Sequence, residues 1–115
     1  MKKLFIAAFM FVSSFGTNVM ADGHAIKMGI ILGFTGPIES LTPAMAASAE
    51  LAFKEASDSG SLLGGKKIEV VRADSTCVDS AAATAAAEGV ISQGVAAIMG
   101  ADCSGVTGAI ASNVA

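Results

Sequence analysis

Residues 25–33 read Ala25-Ile26-Lys27-Met28-Gly29-Ile30-Ile31-Leu32-Gly33, a short and almost continuous apolar run ended by a glycine. A run of this length, apolar toward both sides, suits a strand buried on both faces of a parallel sheet. The next stretch, Gly33-Phe34-Thr35-Gly36-Pro37-Ile38-Glu39-Ser40-Leu41, holds two glycines and a proline and demands a loop. Thr42 then reads as a helix N-cap with Pro43 at the first helical position. The helix that follows carries Met45, Ala49, Ala52, Phe53 and Ala56 on its expected inward face, with Glu50 and Lys54 as an exposed i,i+4 pair. Gly60 and Gly64-Gly65 close this unit.

The same alternation repeats downstream. Lys67 to Ala73 is rich in β-branched residues and reads as a second strand. After the loop at 74–79, Asp79 or Ser80 caps an alanine-rich second helix whose inward stripe is Ala83, Ala87, Val90 and Ile91. Gly94 stands at its C-terminal end. Val95 to Met99 is a third strand, 101–104 a loop, and Gly105 to Ala115 the start of a third helix. The order β-α-β-α-β-α, with short connections, predicts an α/β fold: an open parallel sheet with helices on both faces.

Residues 1–21 have the pattern of a removable export signal. Lys2-Lys3 begins it, Leu4 to Val12 is its apolar centre, and Val19-Met20-Ala21 is a small-residue exit before Asp22. The apolar centre is too short to span a hydrocarbon layer of about 30 Å. Position 22 is not cysteine, which disfavours a lipoprotein anchor. The expected product is exported, cleaved after Ala21 and not inserted in the membrane. Its single domain occupies residues 22–115. Losing Lys2 and Lys3 leaves five Lys and Arg against ten Asp and Glu, a balance that argues against nucleic acid and against a polybasic membrane patch. With 53% apolar residues in the whole chain, disorder is not expected. The chain stops inside an alanine-rich helical segment after three strands, which predicts a truncated gene product or a sequence fragment, with a complete three-strand minidomain as the alternative.

Export also governs how the two cysteines are read. In an oxidising compartment an even count favours a disulfide between Cys77 and Cys103. A metal site or a redox pair is the alternative, but no CxxC spacing is present and the single histidine, His24, lies near the N-terminus. No metal or cofactor is expected. Catalysis has little support either: no GxSxG elbow occurs, no dinucleotide or P-loop glycine pattern follows the first strand, and no histidine neighbours a nucleophile. Asp74, Asp79 and Asp102 fall on strand-end loops, where acids commonly cap helices or hydrate turns.

Open parallel sheets bind ligands beyond the carboxyl ends of their strands. The Gly-x-x-Cys-Ser turn at Gly100–Ser104 puts Ser104 at a helix N-terminus, where main-chain N–H groups and the helix dipole favour an anion such as a carboxylate. Ser104 acting only as a helix cap is an equally sufficient reading of the residues alone.

Three segments taken together, "IKMGIILGFTGPIE", "LLGGKKIEVVRADSTC" and "GVAAIMGADCSGVT", resemble the N-terminal lobe of the branched-chain amino acid ABC transporter substrate-binding proteins. The resemblance implies a periplasmic binding protein type I lobe, incomplete here, that forms one side of a cleft closing on its ligand. It implies a disulfide at Cys77 and Cys103 and a role for Ser104 in holding the ligand's α-carboxylate. Leu41 falls near a position where an aromatic side chain often lines the cleft, so side-chain specificity does not carry over. Thr107, one turn into the helix, is a further candidate. The implied function is a monomeric, non-enzymatic periplasmic receptor that delivers a branched-chain amino acid or related amide to the membrane subunits of an ABC permease. A ligand-binding domain of a sensor or chemoreceptor is the alternative, followed by an exported α/β enzyme.

Overall fold

The computed structural model describes residues 24–114. The export signal expected over residues 1–21 lies outside them. The elements are β1 (Ile26–Leu32), α1 (Thr42–Asp58), one 3₁₀ turn (Leu62–Gly64), β2 (Ile68–Asp74), α2 (Ser80–Ser92), β3 (Ala97–Gly100) and α3 (Ser104–Val114). The strands form a parallel sheet in the order β2-β1-β3. The founding run is therefore the central strand. Ile30, Ile31 and Leu32 are 0%, 0% and 1% exposed, which is why that segment shows no polar alternation.

Successive residues of β1 feed opposite layers. Ile30 and Leu32 pack with Ala46 of α1, joined by Phe34, Phe53, Val70 and Met99. Ile31 packs with Ala87 and Val90 of α2, joined by Val71, Ile98 and Ile110. One helix thus covers one face, and α2 with α3 covers the other. At Gly29 the α2 layer comes so close that an added Cβ would lie 2.6 Å from Val90 Cγ1. Glycine is what allows the helix to sit there.

Helix α2 follows its sequence signals closely. The Asp79 carboxylate accepts from the amides of Ala81 and Ala82 at 2.9 and 3.0 Å, and Gly94 takes a positive φ of 76° just beyond the end. Ala83, Ala87 and Val90 are buried as expected, but Ile91 is exposed.

Helix α1 departs from expectation in three respects. Its N-cap is Leu41, without a side-chain cap, and Thr42 is the first helical residue. The Thr42 hydroxyl is buried and donates backward, to the carbonyls of Gly33 at 3.1 Å and Glu39 at 3.4 Å, so it closes the preceding loop instead of capping the helix. The inward face runs through Thr42, Ala46, Ala49, Phe53 and Ser57, leaving Met45 and Ala52 exposed. Alanine is too small and too frequent here for the apolar period to fix the phase. The expected Glu50–Lys54 pair is replaced by two others. Glu50 accepts from Arg72 Nε of β2 at 2.5 Å, and Lys54 pairs with Asp58. The third strand is shorter and later than read, at Ala97–Gly100.

Along the outer edge of β3 lies a concave apolar surface of about 530 Å³, lined by residues including Val95, Ile98, Ile110 and Val114. Among the described residues no strand pairs with this edge, and no helix is long and apolar enough to cross a membrane.

Candidate functional site

Strand register brings three loops to one level. Leu32 pairs with Asp74, the last residue of β2, and Ile31 with Gly100, the last of β3. The loops at 33–41, 75–79 and 101–103 therefore leave the same edge of the sheet side by side, at its carboxyl end.

Each loop is fastened to a neighbour by a side chain. Cys77 and Cys103 form the expected disulfide, with Cα atoms 5.3 Å apart, and it joins the loops after β2 and β3. Asp102, half-buried, joins the loops after β3 and β1: its Oδ2 and Oδ1 accept from the Gly33 amide at 3.0 and 3.2 Å. Asp74 joins the loops after β2 and β1, accepting from the Thr35 hydroxyl at 2.6 Å and the Thr35 amide at 3.3 Å. Its Oδ1 also accepts from the Thr76 amide at 2.8 Å. Burial pushes the Asp74 carboxyl up. The bonds from the Thr35 hydroxyl and from the amides of Thr76, Thr35 and Phe34 outweigh that and hold it below the ordinary carboxylate value.

These fastenings hold backbone that would not adopt its shape unaided. Thr76 and Cys77 have φ of 58° and 70°, left-handed values that cost a residue with a side chain roughly 1–2 kcal/mol each. Gly36 has φ of 92° and approaches the same turn so closely that a Cβ would lie 2.6 Å from the Thr76 carbonyl oxygen.

The turn so braced presents the start of α3. The amide of Thr107 donates to the carbonyl of Cys103 at 2.9 Å. The amides of Ser104, Gly105 and Val106 precede that bond and have no intrahelical acceptor. The residue before the helix is Cys103, whose sulfur is in the disulfide, and both oxygens of Asp102 before it are turned to Gly33. Ser104 is exposed, in the first helical position. The hydroxyl of Thr107 instead donates within its own turn, to the carbonyls of Ala101 at 2.8 Å and Cys103 at 2.9 Å. Leu41 is 61% exposed at the end of the loop after β1, on the same rim. The structure thus sets Leu41 at the end of the loop after β1 and Ser104 directly after the loop from the adjacent β3, while Thr107 contributes to the shape of the turn.

Sequence reasoning missed what Asp102 and Asp74 do. Both were legible as acids at strand ends, but only Asp79 caps a helix. Their partners lie 69 and 39 residues away, and no local spacing signals them.

A parallel sheet of this order, with helices on both faces and three loops gathered at its carboxyl edge, defines an open α/β lobe. The model of the periplasmic binding protein family matches residues 25–115. The chain belongs to that family. Among solved structures it is similar to the branched-chain amino acid transporter substrate binding protein LivJ from Streptococcus pneumoniae, determined in complex with isoleucine. Identity is 31% and the TM-score 0.68, over 77% of this chain and 25% of that one. The chain spans about a quarter of the length of that relative. No curated protein matches the sequence.

Proposed function

We propose that the protein is the solute receptor of an ABC importer for branched-chain amino acids, and that residues 22–115 form the first part of its first lobe. In this reading it is exported, cleaved after Ala21, and works as a periplasmic monomer that hands its ligand to the permease membrane subunits. It binds and does not catalyse.

The observation that carries the reading is the start of α3, whose first amides have no intrahelical acceptor, immediately after a disulfide-braced turn. The amides of Ser104, Gly105 and Val106, together with the Ser104 hydroxyl, suit a ligand carboxylate. Leu41 offers apolar surface to an aliphatic side chain, and Thr107 keeps the turn in shape. The loops at 33–41, 75–79 and 101–103 contain no Lys or Arg, whereas Glu39, Asp74, Asp79 and Asp102 lie on or beside them. A carboxylate would be held there by neutral amides and a hydroxyl, with no Lys or Arg on these loops, which suits a ligand that carries its own positive charge, as an amino acid does.

The test is calorimetric titration of the full-length protein with leucine, isoleucine and valine, alongside Ser104→Ala. The expected loss on removing that hydroxyl is about tenfold in affinity or more, the scale of one hydrogen bond to a charged group. Unchanged affinity in Ser104→Ala would remove the carboxylate assignment.

A further inference from the structure

We infer that Asp102 is a positioning residue for ligand selection: its bond to the Gly33 amide fixes the spacing between the start of α3 and the loop that carries Leu41. The inference rests on the amino-acid reading above and deepens it.

Gly33 is the meeting point of all three loops. Its amide donates to Asp102, its carbonyl accepts from the buried Thr42 hydroxyl at 3.1 Å, and its Cα lies against Cys77. A Cβ there would stand 3.2 Å from Cys77 Cβ and 3.3 Å from Ile38 Cγ1, so the packing leaves no spare room. The Thr42 bond ties Gly33 to the first turn of α1, directly after Leu41. Asp102 lies two residues before Ser104. The path Ser104–Asp102–Gly33–Thr42–Leu41 therefore crosses the rim through two hydrogen bonds, and only one of them, that of Asp102, spans from β3 to β1. The disulfide reaches the loop after β1 only indirectly, through the β2 loop and the Asp74–Thr35 bonds, so Asp102 is the direct side-chain tie between the loops after β3 and β1.

In the proposed reading the carboxylate sits at the start of α3 and the side chain extends toward Leu41, so a longer side chain depends more on the spacing between the two. Loosening the Asp102 bond therefore harms a long side chain more than a short one. A carboxylate accepting an amide is a charge-assisted bond. An asparagine can still accept from Gly33 through its amide oxygen, whereas alanine cannot.

The experiment compares wild type, Asp102→Asn and Asp102→Ala in the full-length protein, with leucine and alanine as the titrated ligands and hydrogen exchange of the Gly33 amide as a second readout. Asp102→Ala is expected to weaken leucine about tenfold and alanine by less than about threefold, so that the preference for leucine narrows. Asp102→Asn is expected to restore both. The Gly33 amide should be protected in wild type and Asp102→Asn and exchange quickly in Asp102→Ala. Equal losses for leucine and alanine, or none, would overturn the inference. If wild type binds neither amino acid, the proposed function fails separately. The bond across the rim is then judged by exchange alone, and equal protection of Gly33 in wild type and Asp102→Ala overturns it.

Discussion

The two ends of the sheet are built from different materials. At the amino end the chain turns on glycine backbone, with the buried Ser57 hydroxyl accepting from the Ile68 amide at 2.8 Å. Gly64 and Gly65 take φ of 77° and 86°, and Lys27 and Lys67 reach the carbonyls of Gln93 and Ser57 at 3.2 and 3.1 Å. Each lysine is a long side chain that donates to a single carbonyl, Lys27 across 66 residues and Lys67 across 10. At the carboxyl end a disulfide and two carboxylates, on short side chains, fasten distant loops together. Lys27, Lys66 and Lys67 lie at the first end, where Lys67 pairs with Asp58, and Asp74, Asp79 and Asp102 lie at the second. Rigid cross-bracing is costly in left-handed backbone at Thr76 and Cys77, and it is concentrated where a ligand would need a preorganised surface.

The contrast predicts a graded response to substitution. Replacing Cys77 and Cys103 together by serine should lower stability by roughly 3–4 kcal/mol, the scale for a loop of this size in the chain-entropy model, read from the denaturant midpoint. Gly36→Ala should cost about 1–3 kcal/mol in the same assay, because a side chain must then tolerate positive φ against the Thr76 carbonyl.

Asp74 gives a pH signature. Its folded-state pKa lies below the ordinary value of 3.8, so its contribution is present above that value and lost as the pH falls through the folded pKa. Thermal melts should therefore show stability declining as acid is added below about pH 4, with Asp74→Asn flattening part of that decline. The depressed carboxyls of Glu50, beside Arg72, and Asp58, beside Lys54, account for a residual slope.

Two smaller effects complete the gradient. Ser75 is buried at the end of β2 and its Oγ has no hydrogen-bond partner among the described residues. Ser75→Ala should raise stability by about 1 kcal/mol, the lower range for an unsatisfied buried group. At the amino end, Lys67→Ala should change the midpoint by less than about 0.5 kcal/mol, since its side chain is 64% exposed and its pair with Asp58 is a surface one. A loss at Lys67 as large as that at the disulfide would break the comparison.

How far the sequence was readable follows the same division. The central strand was legible because burial on both faces suppresses polar alternation from Met28 to Leu32. Helix α2 was legible because Asp79 and Gly94 are local signals, and the disulfide because only two cysteines exist. The phase of α1 was not, since Ala44, Ala46, Ala47, Ala49 and Ala52 give no contrast between inside and outside. Thr42 looked like a cap because a threonine before a proline is a local pattern, while its true acceptor, Gly33, is set by the loop. The position of Ser104 was readable from the turn that precedes it. The Asp102–Gly33 and Asp74–Thr35 bonds, which hold that turn in place, depend on strand register and so become visible only once the sheet is assembled.

The central claim is that this braced rim receives the carboxylate of an amino acid at the start of α3. Thermal unfolding of the full-length protein against a panel of amino acids and amides tests it most directly. Leucine, isoleucine or valine should raise the melting temperature progressively with concentration, as binding to the folded state alone requires. A panel in which no amino acid or amide moves the transition would contradict the account.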